Sequence, residues 1–340
     1  MKKFSVIEIS DNKWSETVAR CKEFDFYHTL SYNKLEKKDR PVLFLYEFDS
    51  DCIAFPLIIR AIPEKKCFDI TSVYGYAGPI STLSFADIDS TIISEFHLEL
   101  MRFFSENDIV CVFSRLHPII KNQEFFTDFG IVEAINKTVV IDLTQTLELQ
   151  KKQYRKSNKS ELNQLRRKGF EVVEATTKTE IDAFVAIYHE TMRRVEASSN
   201  YFFDTEYFYN FLDNPCFKSK LLLAKFNGEI TAGAIFTITN KIMQYHLAGT
   251  TENYIKETPM KLILDEARLL GNHLKLDYLH LGGGVGGSDE DSLFRFKSGF
   301  SDERGYYNVW KMIADVIKYE QLVKEFNVDL NSNYFPQYRA

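Results

Sequence analysis

The 340-residue chain has few cysteines and no surplus of positive charge. Its five cysteines, at 21, 52, 67, 111 and 216, are odd in number and widely spaced, with no CxxC pair. That argues against a disulfide frame or a zinc knuckle and for reduced thiols in a cytoplasm. The 42 Lys and Arg face 48 Asp and Glu, a net charge of −6. A protein that binds nucleic acid through its whole surface is therefore disfavoured. No apolar run approaches the roughly 18 residues of a membrane span. After Met1-Lys2-Lys3 the apolar stretch ends at Glu8, too short for a secretory core. Low-complexity sequence is missing too. What is present is 45% apolar residues, including 29 Phe and 18 Tyr. That is enough for two aromatic-rich cores, which explain the rings better than a base-stacking surface does.

Periodicity predicts the same element order twice. In the first half, 4–9 alternates as a strand, 11–21 and 31–37 read as short helices, and 42–48 and 52–59 form a hairpin across Asp49-Ser50-Asp51. A strand at 68–74, a helix over 85–106, a buried strand at 109–113, a helix near 119–127 and a strand at 138–142 follow. The second half reads as a strand at 170–174, helices at 179–196 and 205–211, and a three-strand meander from 221 to 248. A helix opened by Thr258-Pro259, a strand at 278–281, a helix at 291–297, a strand at 307–313 and a last helix complete it. The order is that of an α/β sandwich, not of alternating βαβ units. It predicts two domains, 1–150 and 169–340, joined by a basic linker helix at 151–168, each with a mostly antiparallel sheet flanked by helices.

The linker, KKQYRKSNKSELNQLRRK, holds eight Lys and Arg against one Glu, net +7 in a chain of net −6. Charge runs are usually solvated faces. Like charges this dense also suit a docking site for phosphates, from a nucleotide-linked substrate or from RNA.

The run Gly282-Gly283-Gly284-Val285-Gly286-Gly287 satisfies GxGxxG, a dinucleotide fingerprint. However, the next helix opens with Ser288-Asp289-Glu290-Asp291, whose acids would repel a diphosphate, and too little chain follows for a doubly wound sheet. The glycines read better as a loop where main chain passes close to a ligand or another backbone. In Tyr74-Gly75-Tyr76-Ala77-Gly78-Pro79, two phenols flank a glycine at a strand exit. This is either a packed turn or the lining of a cleft.

Together these motifs resemble the FemABX-type branch of the GNAT acyltransferase superfamily, the peptidoglycan-bridge aminoacyltransferases and their acyl-CoA-using relatives. The match lies in 74–79, the basic 154–169, Thr191-Met192-Arg193-Arg194 with Tyr201, and His280–Gly284 with DSLFRFKSGF at 291–300. The resemblance implies two GNAT-like domains with an acceptor held between them, and an acyltransferase of cell-envelope precursors. Its members use acetyl-CoA or another acyl-CoA, or aminoacyl-tRNA. Two features depart from the pattern. The stretch 250–257 lacks the glycines of the GNAT pyrophosphate loop, and Arg295 stands where a GNAT general-acid tyrosine is expected. No helical-hairpin arm interrupts the second half.

The expected function is N-acyl transfer from acyl-CoA to an amine on a nucleotide- or lipid-linked precursor such as an amino sugar. The alternatives are aminoacyl transfer from charged tRNA and a non-catalytic binding module with this fold. The resemblance places Lys297 at the reaction cleft as a cation for the developing oxyanion or a phosphate, against a surface lysine as the bland reading. Arg194 would grip a phosphate, and Lys34 would contact a diphosphate. Tyr74, Gly75, Tyr76, Tyr201 and Gly282, Gly283 and Gly284 would line the substrate site. Thr258, with the amides of Met260 and Lys261, would hold the cofactor phosphates at a helix N-terminus. His246 and Asp69 are candidate bases. His189 and His280 lack a second ligand at metal spacing, so no metal is expected.

Overall fold

The computed structural model describes residues 2–284, 290–326, 328 and 334–340. In chain order, β1 (Lys3–Glu8) precedes α1 (Lys13–Arg20) and the short α2 (Leu30–Asn33), which opens where the Thr29 hydroxyl accepts from the Tyr32 amide. A hairpin follows, β2 (Arg40–Phe48) and β3 (Asp51–Ala61). Its turn puts Asp49 at φ +50, a left-handed conformation that a short polar side chain tolerates. Next come β4 (Phe68–Thr71), β5 (Ile80–Ser81), α3 (Ser90–Glu106) and β6 (Ile109–Arg115). Asp89 caps α3, whose helical spacing of Ile93, Phe96, Leu100 and Phe104 gives it one buried face. β7 (Ile131–Asp142) closes this half.

The second half contains α4 (Leu147–Lys152), α5 (Lys156–Lys168), β8 (Glu171–Glu174), α6 (Lys178–Arg194) and α7 (Thr205–Leu212). α5 ends at Gly169, whose φ of +95 suits a residue without a side chain. Thr177 and Glu180 cap α6 reciprocally. The meander is β9 (Lys218–Phe226), β10 (Glu229–Thr239) and β11 (Ile242–Thr250). α8 (Met260–His273), β12 (Tyr278–Gly282), α9 (Ser292–Lys297), β13 (Arg304–Ile313) and α10 (Val316–Glu325) follow. The predicted order recurs in most of its elements, as a mixed α/β fold, with the short β5 added. The helix predicted near 119–127 is a 3-10 turn at Gln123–Phe126. The linker is two helices, not one.

The chain forms two compact units, Met1–Asn136 with Tyr306–Ala340, and Lys137–Gly305. This differs from a division at 150 and 169, because unit 2 begins within β7, at Lys137, and unit 1 takes β13 from Tyr306 onward. In unit 2, residues 139–142 of β7 pair with β12. In unit 1, residues 309–313 of β13 pair with β6. The basic segment also belongs to unit 2, where Leu162 and Leu165 are buried in its core beside Leu264 and Phe300.

The core of unit 1 is aromatic. Phe55, Phe96 and Phe126 meet Phe125 edge-on at 5.1–5.7 Å. Trp310 is fully buried and donates to the Phe129 carbonyl. Edge-to-face packing aligns the positive ring edge with the negative face. In unit 2, a buried polar knot joins α5 to α8: Asp265 accepts from Tyr154, Arg166 and Arg268. Among the described residues no helix is long and apolar enough to cross a membrane.

Candidate active site

In unit 2, β11 and β12 run parallel for only three pairs, ending at Gln244 and His280. Beyond them β11 runs on along β10 to Thr250, with a bulge at His246, while β12, held by β7 along its other edge, runs on to Gly282 without further pairing to β11. The two strands therefore fork. The last pair is bridged by side chains, His280 Nδ1 to Gln244 Oε1 at 2.6 Å. Parting strands leave backbone groups that a ligand can pair with.

Lys297, at the end of α9, spans this fork. Its ammonium donates to the Gly283 carbonyl, just past β12, at 2.7 Å and lies 5.6 Å from the centroid of Tyr245 on β11. Asp291 caps α9 by accepting from the Phe294 amide and so fixes the helix that delivers the lysine. Burial pushes the ammonium down from 10.5 to about 7, and the nearby Asp291 charge only partly offsets this. A lysine that titrates near neutrality can both donate and recover a proton.

The surrounding glycines are fitted to the fork. Gly282 has φ +75. A Cβ at Gly284 would lie 2.1 Å from the Asp291 carboxylate, so a side chain there would force Asp291 to shift. The rest of the glycine run, 285–287, and Ser288-Asp289 after it lie outside the described residues. His246 stacks on Phe211 at 4.8 Å, and burial holds its imidazole down at about 3. It is neutral and weakly basic there.

The start of α8 is closed by the chain's own groups. The Lys261 amide donates to the Thr258 carbonyl, and the Leu262 amide to Pro259. The Thr258 hydroxyl and the Lys261 ammonium both donate to Glu161 of α5, at 3.0 and 2.6 Å. Met260, the first residue of α8, is buried. Arg194 holds main chain instead of standing open, donating to the Thr250 carbonyl and the Thr191 hydroxyl. The Tyr201 carbonyl accepts from the Tyr188 phenol.

Unit 1 has the same parallel strand pair, β4 with β6, but laced shut. The Arg115 amide donates to the Ser72 hydroxyl, and the Ala77 amide to the Arg115 carbonyl. Tyr74, Gly75 and Tyr76 gather there with Tyr27 and Tyr32. The Tyr32 phenol donates to the Tyr74 carbonyl, and Tyr27 meets Tyr76 edge-on. Lys34 is exposed at the C-cap of α2. Asp69 lies elsewhere, fully buried between Arg60, Tyr338 and Arg339. Its carboxylate is taken up by two ion pairs and a phenol hydrogen bond. Sequence reasoning missed Arg115, whose guanidinium lies 5.9 Å from the Tyr74 centroid and 5.2 Å from that of Phe113. No pattern marks it. It also missed Glu161, which stood out as the single acid in the basic segment.

No family model matches the chain, and no curated protein matches it by sequence. Solved structures do match. FemX superposes with a TM-score of 0.73 at 10% identity, over 93% of this chain and 99% of that one. L-PGS from Bacillus licheniformis follows at 0.57 and 14%, over 89% and 92%. A tandem GNAT protein from the clavulanic acid biosynthesis pathway follows at 0.50 and 8%, over 92% and 99%. At such identities the likeness is one of architecture. The chain thus shares its fold with FemX and with a tandem GNAT protein.

Proposed function

We propose that the chain is an N-acyltransferase that receives its acyl group at the fork of unit 2, beside Lys297. The observation that carries this reading is the buried Lys297 ammonium, held by the Gly283 carbonyl beside the Tyr245 ring where β11 and β12 part. The acceptor is an amine on a nucleotide- or lipid-linked cell-envelope precursor. The neutral amine attacks the acyl carbonyl, a C–N bond forms, and the bond to the leaving oxygen or sulfur breaks. The Lys297 ammonium stabilises the oxyanion and gives its proton to the leaving group. The proton shed by the new amide nitrogen restores the lysine.

The donor class follows from the charges. Lys151, Lys152, Arg155, Lys156, Lys159 and Arg167 have no carboxylate partner among the described residues, whereas Arg166 and Lys168 are paired. Six cations without a carboxylate partner, two on α4, three on α5 and Arg155 between them, favour a polyanionic carrier, aminoacyl-tRNA. Acyl-CoA is the second reading, favoured by the likeness to a tandem GNAT protein whose structure is described as without AcCoA. The test is mass spectrometry of a nucleotide-linked lysyl peptide and a nucleotide-linked amino sugar, each incubated with charged tRNA or acetyl-CoA. Acylation by charged tRNA supports the first reading, acylation by acetyl-CoA alone the second, and no product with either donor favours a binding module.

A further inference from the structure

We infer that Glu161 is a resident anion that denies the first turn of α8 to a donor diphosphate, and so sets the donor class of the enzyme. The inference rests on the acyltransferase reading above. The start of α8 carries the chemistry of an anion site. It combines a fourteen-residue helix N-terminus, the Thr258 hydroxyl and the Lys261 ammonium, which is nearly buried. The two side chains and the Lys261 and Leu262 amides already have partners supplied by the chain. Both side chains donate to the same oxygen of Glu161, and the Lys261 and Leu262 amides turn back to the Thr258 and Pro259 carbonyls.

Glu161 is not a loose surface acid reaching in by chance. It lies on α5, and α5 is fastened to α8 and its approach at further points. Arg166 bonds Asp265 and Glu266, each at 2.8 Å, Tyr154 bonds Asp265 at 2.9 Å, and Lys168 bonds Glu257 at 2.5 Å. The helix therefore holds the carboxylate at a fixed register. A diphosphate entering here would have to displace the carboxylate or lie against it, and like charges at that range repel. The stretch before α8 offers no glycine to reshape the turn, since 250–257 contains none. A donor whose phosphates lie elsewhere, such as one carried on RNA, meets no such conflict.

Isothermal titration of coenzyme A into the full chain tests this without relying on turnover. The variants are Glu161→Gln, which keeps the shape and removes the charge, and Glu161→Ala. Far-ultraviolet circular dichroism confirms that each variant is folded. The wild type is expected to show no saturable binding up to about 1 mM, and the glutamine variant to bind at least about 10-fold more tightly. Inorganic pyrophosphate should follow the same order. Saturable wild-type binding with a Kd below about 1 mM, or binding less than about 10-fold tighter in the glutamine variant, overturns the inference. These outcomes are independent of the acyltransferase reading, which fails separately if Lys297→Met leaves turnover unchanged.

Discussion

The ammonium of Lys297 donates to the carbonyl of Gly283 at 2.7 Å, and this bond joins the helix α9 to the end of β12. Because the site is buried, the lysine is only marginally charged at neutral pH. Selective 13C labelling of lysine, followed by NMR titration, should place its midpoint near 7 in the folded protein, far below the 10.5 of an ordinary lysine. A midpoint near 10.5 would show the ammonium to be solvated.

That shift has a consequence for stability. Between about 7 and 10.5 the unfolded chain holds a proton on Lys297 that the folded chain has released. Stability from this group therefore rises with pH across that window and is lost as pH falls toward 7. Urea unfolding at pH 7 and at pH 9.5 should show the rise in wild type, with a smaller rise in Lys297→Met. Equal slopes in the two proteins would deny the coupling.

Asp69 should prove to be a structural residue. It is fully buried between two guanidiniums and the Tyr338 phenol. Asp69→Asn breaks a buried ion pair and should cost about 3–5 kcal/mol in denaturant unfolding. The kcat of the remaining folded protein should be unchanged. A large fall in kcat with stability intact would restore the carboxylate as a base.

Gly75 permits the aromatic cluster of unit 1. Its φ is +117, and a Cβ there would sit 2.0 Å from the Tyr27 ring. Gly75→Ala should lose about 2–4 kcal/mol of stability, measured by urea unfolding. A loss within experimental error would mean that the ring moves aside freely.

His246 should be dispensable as a base. Stacked on Phe211 and held at about 3, it offers little driving force for taking a proton from an amine. His246→Phe should change kcat by less than about 3-fold, whereas removing a true base costs about 100-fold or more.

The element order was legible in the sequence because each element carries a local signal. Examples are the Thr258-Pro259 helix opening, the Asp49 turn and the spacing along α3. The exchange of β7 and β13 was not, since a strand's own residues do not name its pairing partner. Lys297 was found through a family resemblance, but its burial depends on Tyr245 and Gly283, which fold beside it from elsewhere in the chain. Asp69 looked like a free acid at a strand start because Arg339, its partner, lies 270 residues away. Glu161 read as a minor offset in a basic run. Its position against Thr258 and Lys261 exists only once α5 packs on α8.

The measurement that bears most directly on the account is the pH dependence of single-turnover acyl transfer from charged tRNA to a nucleotide-linked lysyl peptide. In wild type the rate should fall as pH rises through about 7, as Lys297 loses its proton. Lys297→Arg, always charged, should lose that limb, and Lys297→Met should slow transfer by about 100-fold or more. A Lys297→Met enzyme with the wild-type rate and the wild-type pH profile would contradict the account.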